Sequence, residues 1–406
     1  MNESLHQLLS LPTAPYRESA VSQFIENELS VHGIPHFKDP VGNIIVGAES
    51  KKDYLSLLKD PKAEPLRIFI AHMDHPGFHG KKWIDSENLE VEWFGGSPYE
   101  NCDGGTVKIH AQVHGKKGAT PFEADGVFHS VELASHGRSI KTAVVRVTQK
   151  KSSAEQNLPA AESIFGYLSF RAPVWVDDGL IYSKCCDDLI GVHAILEAAK
   201  KTYPQKSKGK SKRSKSRPPF IGMITRAEET GFIGAIGHFE LGWLKEGRRP
   251  RFVVSLETSK TLPQAEIGKG PILRLGDYMN VFDPALTYWL VQLANRILPG
   301  ETQKRVMDGG RCEGSAALIY GLRTIALSVP LGNYHNQSLQ GGPDARHPNG
   351  PAPEYVAEKD VERLEELVLA IVQEKVEFES IYSAARTVLK NSFKTAKTLL
   401  KQGQKE

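Results

Sequence analysis

From residue 181 to the C-terminus, short β-type runs alternate with stretches of helical periodicity, and this alternation limits the possible folds more than any other feature of the 406 residues. The spacing predicts helices over Gly191–Lys201, Thr230–Leu241, Pro284–Ile297 and Val356 to about Glu377. Between them it predicts strands over Phe220–Thr225, Arg251–Leu256 and Thr324–Val329. An earlier strand, Leu66–Ala71, ends at His72, and a turn at Asp39-Pro40-Val41-Gly42-Asn43 leads into Ile44-Ile45-Val46. Strands interleaved with helices imply an α/β fold: a mostly parallel sheet sandwiched by helices.

The alternation is interrupted once. Residues 76–180 are rich in Val, Thr, aromatic residues and glycine turns, as in Thr106-Val107-Lys108-Ile109-His110-Ala111, and helical periodicity is almost absent. They read as an inserted all-β domain of barrel or sandwich type. The expected division is therefore a discontinuous catalytic domain, 1–75 and 181–380, around an insert at 76–180. A basic tract at 204–219 and a basic, helix-prone tail at 381–406 complete the chain.

Charge is uneven. Residues 206–217 hold seven basic residues and no acid, so the formal +3 of the whole leaves −4 on the remainder. This low-complexity tract is expected to be a solvated, disordered loop rather than a nucleic-acid site. Residues 1–6 lack the basic and apolar regions of a secretory signal, and no apolar run approaches the roughly 20 residues that cross a bilayer. Four cysteines without a CxxC pair suit a reducing compartment, so a cytoplasmic location and no membrane partner are expected. There is no GxSxG or Walker sequence to support a serine hydrolase or an NTPase.

Acid and imidazole side chains gather at strand ends. His72 follows Leu66–Ala71, Glu228 and Glu229 follow Phe220–Thr225, Glu257 follows Arg251–Leu256, and His335 lies shortly after Thr324–Val329. Asp187-Asp188 precedes the helix near Gly191. In open α/β sheets, sites form beyond the carboxyl ends of the strands, so these scattered residues should converge. Imidazoles with carboxylates suit two divalent first-row ions bridged by one carboxylate, with a free carboxylate as proton acceptor. The adjacent Glu228 and Glu229 can split these tasks, and Asp74 can hydrogen-bond the His72 imidazole. His193, His238, Cys185 and Cys186 read as structural, and Gly231, Gly234 and Gly237 as close-packing positions.

Ala71-His72-Met73-Asp74-His75-Pro76-Gly77-Phe78 resembles the HMDE-x-GF signature of the tetrahedral, or glutamyl, aminopeptidase family. Asp39–Asn43, Asp187–Gly191, Glu228–Gly234, Ile267–Pro271 and Val329–His335 are similar to further family motifs, in the same order, over about residues 5–375. The resemblance implies a metallo-aminopeptidase with His72 on one ion, Asp187 as bridge and Glu228 as base. Glu229 and His335 would complete one side and Glu257 the other. It also implies zinc or cobalt, peptide substrates and self-assembly into a homo-oligomer, a hollow dodecamer, built with help from the β insert. The departures are Glu257 for Asp, Leu189 for Arg and His75-Pro76 for Glu-Ile or Glu-Val. Glu257 keeps a deacylase or carboxypeptidase-like activity of the same clan as an alternative, and a non-catalytic scaffold is the reading from another class.

Overall fold

The computed structural model describes residues 1–115, 118–150, 158–203 and 217–403. The basic tract at 204–219 lies outside the described residues except at its edge, where Arg217 donates to Asp53 at 2.6 Å.

Eight strands form one sheet in the order His36–Lys38, Ile44–Val46, Phe220–Thr225, Leu66–His72, Arg251–Lys260, Thr324–Leu331, Ile272–Asp277, Gln303–Met307. The central four run parallel to one another. Antiparallel pairs flank them, so the sheet is mixed rather than parallel throughout. Leu66–His72, Phe220–Thr225 and Thr324–Leu331 are buried at every position, as strands covered on both faces must be. Side chains alternate across the sheet. Phe69, Ala71, Phe220, Ile224 and Val254 meet the helices Ser19–Val31, Leu189–Thr202, Pro284–Ile297 and Glu358–Gln373. Ile68, Ile70, Ile221, Met223 and Val253 face the helices Lys51–Leu57, Ile233–Glu240 and Glu313–Ile319.

Several boundaries differ from those the sequence predicts. The strand at Arg251 continues to Lys260, so Glu257 lies within it rather than after it. The helix predicted from Thr230 starts at Ile233, because Gly231 and Phe232 take left-handed backbone angles and keep Ala227–Phe232 as a loop. A short strand, Glu354–Ala357, precedes the long helix, which ends at Gln373. It joins Val174–Asp177 and Leu180–Ser183 in a small antiparallel sheet.

The β insert is a closed barrel of six strands: Gly77–Trp83, Asn88–Phe94, Ile140–Lys150, Gly118–Leu133, Thr106–Gly115 and Phe165–Leu168. Closure removes free strand edges. It has its own core around Phe78, Trp93, Val107, Ile109 and Phe128. Only a few residues separate its first strand from His72, which places one rim of the barrel beside the carboxyl edge of the large sheet.

Of the three glycines at 231, 234 and 237, the last two pack closely and the first serves the turn. A Cβ on Gly234 would sit 2.5 Å from the Arg226 carbonyl oxygen and from Asn43 Oδ1. Asn43 is itself fixed, since Asp39 accepts from its backbone and side-chain nitrogens at 2.9 and 2.8 Å. Gly234→Ala is therefore expected to cost about 1–3 kcal/mol and to shift the loop that carries Glu228, read as a lower urea midpoint together with reduced activity.

Candidate metal centre

The register of the parallel strands determines which side chains meet. Thr225 is paired with His72, and Ser255 with Ile70, so two further residues set Glu257 level with His72. Residues 68, 70 and 72 share one face, as do 253, 255 and 257. His72 and Glu257 thus point the same way at the carboxyl edge. Asp187 arrives from the opposite helical layer, at the mouth of the helix Leu189–Thr202; its peptide bond to Asp188 is cis. Glu228 and Glu229 come from the loop after Phe220–Thr225, and His335 from a tight turn after Thr324–Leu331.

Among the described residues these form three overlapping groups, one of them His72, Glu228 and Glu229. His72, Asp187 and Glu257 offer ligand atoms within 4.8 Å of one another, and so do Asp187, Glu229 and His335. Asp187 belongs to both of the latter. His72 Nε2 stands 3.5 Å from Asp187 Oδ1 and 3.7 Å from Glu228 Oε2. His335 Nε2 stands 3.8 Å from Asp187 Oδ2 and 3.3 Å from Glu229 Oε2. All six residues singled out from the sequence for the ions and the base therefore converge.

Asp74 is close by, but its carboxylate is not the partner of the His72 ring. The imidazole Nδ1 lies 3.7 Å from Asp74 Oδ1 and donates instead to the Asp74 backbone carbonyl at 3.1 Å. That bond fixes the tautomer and leaves the Nε2 lone pair facing Asp187. The Asp74 carboxylate accepts from the backbone nitrogens of Glu228 and Glu229 at 2.9 and 3.2 Å, so it holds the loop rather than the ring.

The electrostatics are one-sided. Burial pushes the Glu228 and Glu257 carboxyls well above the usual range. Glu257 and Glu229 add to the push on Glu228, and Asp188 adds to the push on Glu257. Burial alone would lower the His72 imidazole, but Glu228, Asp187 and Asp74 hold it well above its ordinary value. His335 is raised to about 9, because Glu229 and Asp187 outweigh its burial. Asp187 Oδ1, Glu229 Oε1 and Glu257 Oε1 are buried without a hydrogen-bond partner. Buried carboxylate oxygens left unpaired are costly, and divalent cations are the partners this donor set suits. The residues fit metal ions.

Several supporting residues were not legible in the sequence. Glu354 Oε2 accepts from the backbone nitrogens of Cys186 and Asp187 at 2.8 and 3.1 Å, and Oε1 accepts from that of His335 at 2.9 Å. One carboxylate thus holds the segments of two candidate ligands. The only sequence signal is an acid in an otherwise apolar run, Pro351-Ala352-Pro353-Glu354-Tyr355-Val356. His75, one of the departures from the family pattern, donates from Nδ1 to the Asp187 carbonyl at 2.9 Å and meets the Asn336 side chain at 3.0 Å. Leu189, where the family has arginine, is buried in the core. Cys185 and Cys186 are buried there too, with thiols that burial pushes well up. His238 and His193 pair with Asp39 and Glu365 at 2.8 and 2.9 Å, away from the centre.

The family model of the M42 glutamyl aminopeptidases matches residues 55–340. The chain belongs to this family. It is accordingly a metallo-aminopeptidase, a hydrolase of peptide bonds, and M42 peptidases are metal-dependent. Solved structures share its fold. The Pyrococcus horikoshii TET1 peptidase matches with a TM-score of 0.65 and 22% identity, over 92% of this chain and 99% of that one. An aminopeptidase from the archaeon Desulfurococcus kamchatkensis matches with a TM-score of 0.69 and 19% identity, over 94% and 96%. An M18-family aminopeptidase from Thermotoga maritima gives 0.63 and 16%, over 93% and 98%. No curated protein sequence matches the chain.

The barrel of this M42 chain also reaches the centre. A Cβ on Gly96 would fall 1.8 Å from His335 Nδ1, and one on Gly95 would fall 3.2 Å from Glu229 Cβ. Trp93 Nε1 donates to the Gly96 carbonyl at 2.9 Å and fixes this rim. Gly96→Ala should therefore expel the His335 ring while leaving the hydrophobic cores of the sheet and the barrel untouched. The expected outcome is a loss of at least tenfold in activity, on the order of 1.4 kcal/mol, with an unchanged thermal midpoint for the metal-free protein, measured by calorimetry and steady-state kinetics.

Proposed function

We propose that this M42 enzyme removes N-terminal residues from peptides using two divalent ions per chain, zinc or cobalt. His72, Asp187 and Glu257 would hold one ion, and Asp187, Glu229 and His335 the other. The observation that carries this reading is the pair of ligand groups that overlap at Asp187, with Glu228 beside them. When bound, such ions polarise a carbonyl and make a water more acidic.

The chain's own residues do the rest. Glu228 accepts a proton from the water that attacks the first peptide carbonyl and hands it to the departing amine. Glu229 or Glu257 receives the free α-amine of the substrate, which makes the reaction specific for chain ends. Asp74 positions Glu228 through its backbone nitrogen. Glu257 is one methylene longer than the Asp that the family uses at this position and still reaches the ligand group of His72 and Asp187.

The catalytic unit comprises 1–75 and 181–380, with 76–180 as an assembly domain. The TET1 relative is described as assembling into a tetrahedron or a large octahedral shell. By the same logic this chain assembles into a homo-oligomer such as a dodecamer, with the barrel helping to build the contacts. A cytoplasmic location accords with its four buried, free cysteines.

Glu228→Gln should keep both fold and bound metal but lower kcat by about 10²–10⁴ on amino-acid amides. Normal turnover by this variant would remove Glu228 from the role. The wild-type enzyme should cleave substrates with a free α-amine and leave their N-acetylated counterparts intact; preference for the acylated form would favour the deacylase reading.

A further inference from the structure

The helix Ser383–Gly403 takes no part in the sheet, the barrel or the metal centre. The chain leaves the body through Phe378 and Ile381, which pack against the main core, and Tyr382, whose ring lies tilted against that of Tyr288 with centroids 5.3 Å apart. Beyond that anchor, every residue from Arg386 to Thr395 is exposed. Val388, Leu389, Phe393 and Leu400 are 65%, 70%, 55% and 60% exposed, an unusual display of large apolar side chains.

Their arrangement is not random. At about 100° per residue, Arg386, Lys390, Lys394 and Lys397 fall within a sector of about 80°, and Lys401 continues the series in sequence. Ala385, Val388, Leu389, Phe393, Ala396 and Leu400 occupy a separate sector of about 140°. No acid occurs between Glu379 and Glu406. No helix among the described residues is long and apolar enough to cross a membrane. A helix with one apolar sector and one basic sector meets the physical requirements for lying in the plane of a bilayer interface.

We infer that Ser383–Gly403 is a docking helix for the surface of an anionic lipid bilayer, with the apolar sector among the acyl chains and the lysines at the headgroups. Charge complementarity selects this occupant. A nucleic acid would use the cations but leave the exposed leucines and Phe393 in water. A second copy of the helix would cover the apolar sector but leave the lysines of both copies with no acid from the helix to offset them. The body offers no comparable attraction, because residues 1–380 carry a net −2 with the basic tract 206–217 included, against +5 on residues 381–406. The enzyme would therefore dock by its tail, with the metal centre held off the membrane.

The test uses the full-length chain in vesicle flotation, comparing phosphatidylcholine alone with vesicles containing about one third phosphatidylglycerol. Binding to the anionic vesicles should be at least tenfold tighter and should weaken with salt. Lys390→Glu/Lys394→Glu and Leu389→Ser/Phe393→Ser should each lose at least tenfold, with unchanged hydrolysis of amino-acid amides. A chain ending at Ile381 should lose vesicle binding and keep its circular dichroism outside the tail. In Phe393→Trp, the tail indole emission should shift to the blue on anionic vesicles only. Equal binding to neutral vesicles, or none to either kind, overturns the inference. Loss on charge reversal but not in Leu389→Ser/Phe393→Ser also overturns it and points to a polyanion such as RNA. A drop in oligomer mass in Leu389→Ser/Phe393→Ser, without vesicle binding by the wild type, overturns it in favour of self-association.

Discussion

Four carboxylates, Asp187, Glu228, Glu229 and Glu257, crowd the carboxyl edge of one sheet with two imidazoles among them, and the rest of the structure is organised around that excess of negative charge. Asp188, Glu313 and Glu354 stand behind them, each with its carboxyl pushed up by burial. Removing so many like charges from water is strongly unfavourable unless cations return the balance. The oxygens of Asp187, Glu229 and Glu257 that lack a hydrogen-bond partner belong to groups that could hold such cations. The fold tolerates the concentration because buried parallel strands and closely packed helices hold the backbone beneath it.

The precision of the centre comes from backbone hydrogen bonds to carboxylates outside the ligand set. Asp74 receives two nitrogens of the Glu228 loop, and Glu354 receives three from the Asp187 and His335 segments. Together these five bonds limit how far the loops can drift. The barrel adds a steric limit through Gly95 and Gly96, where the lack of a side chain leaves room for Glu229 and the His335 ring. A domain with its own hydrophobic core thus also forms one wall of the site.

Much of this was legible in the sequence, for definite reasons. Period-two and helical patterning separate the sheet from the β insert, and strand ends mark His72, Glu228, Glu229 and Glu257, because a parallel sheet directs its carboxyl ends to one edge. Gly96 and Glu354 were not legible. Their partners lie far away along the chain, and they act through a missing side chain and through backbone nitrogens, neither of which leaves a periodic signal. Asp74 was legible as a neighbour of the site but not in its task, since the choice between ring and loop depends on the path of the backbone after His72. The helix predicted from Thr230 starts late because left-handed angles at Gly231 and Phe232 override its apolar periodicity. The antiparallel pairing at the sheet's flanks follows from connections that residue patterning does not encode.

If Asp187 bridges two ions, the metal content of the purified enzyme reports it. Purified enzyme, stripped with chelator, reloaded with zinc or cobalt and analysed by elemental mass spectrometry, should hold about two ions per chain. Asp187→Ala should lose both together, because the two ligand groups share that carboxylate. A wild-type chain that retains no ion, or an Asp187→Ala chain that still holds two, would contradict the account.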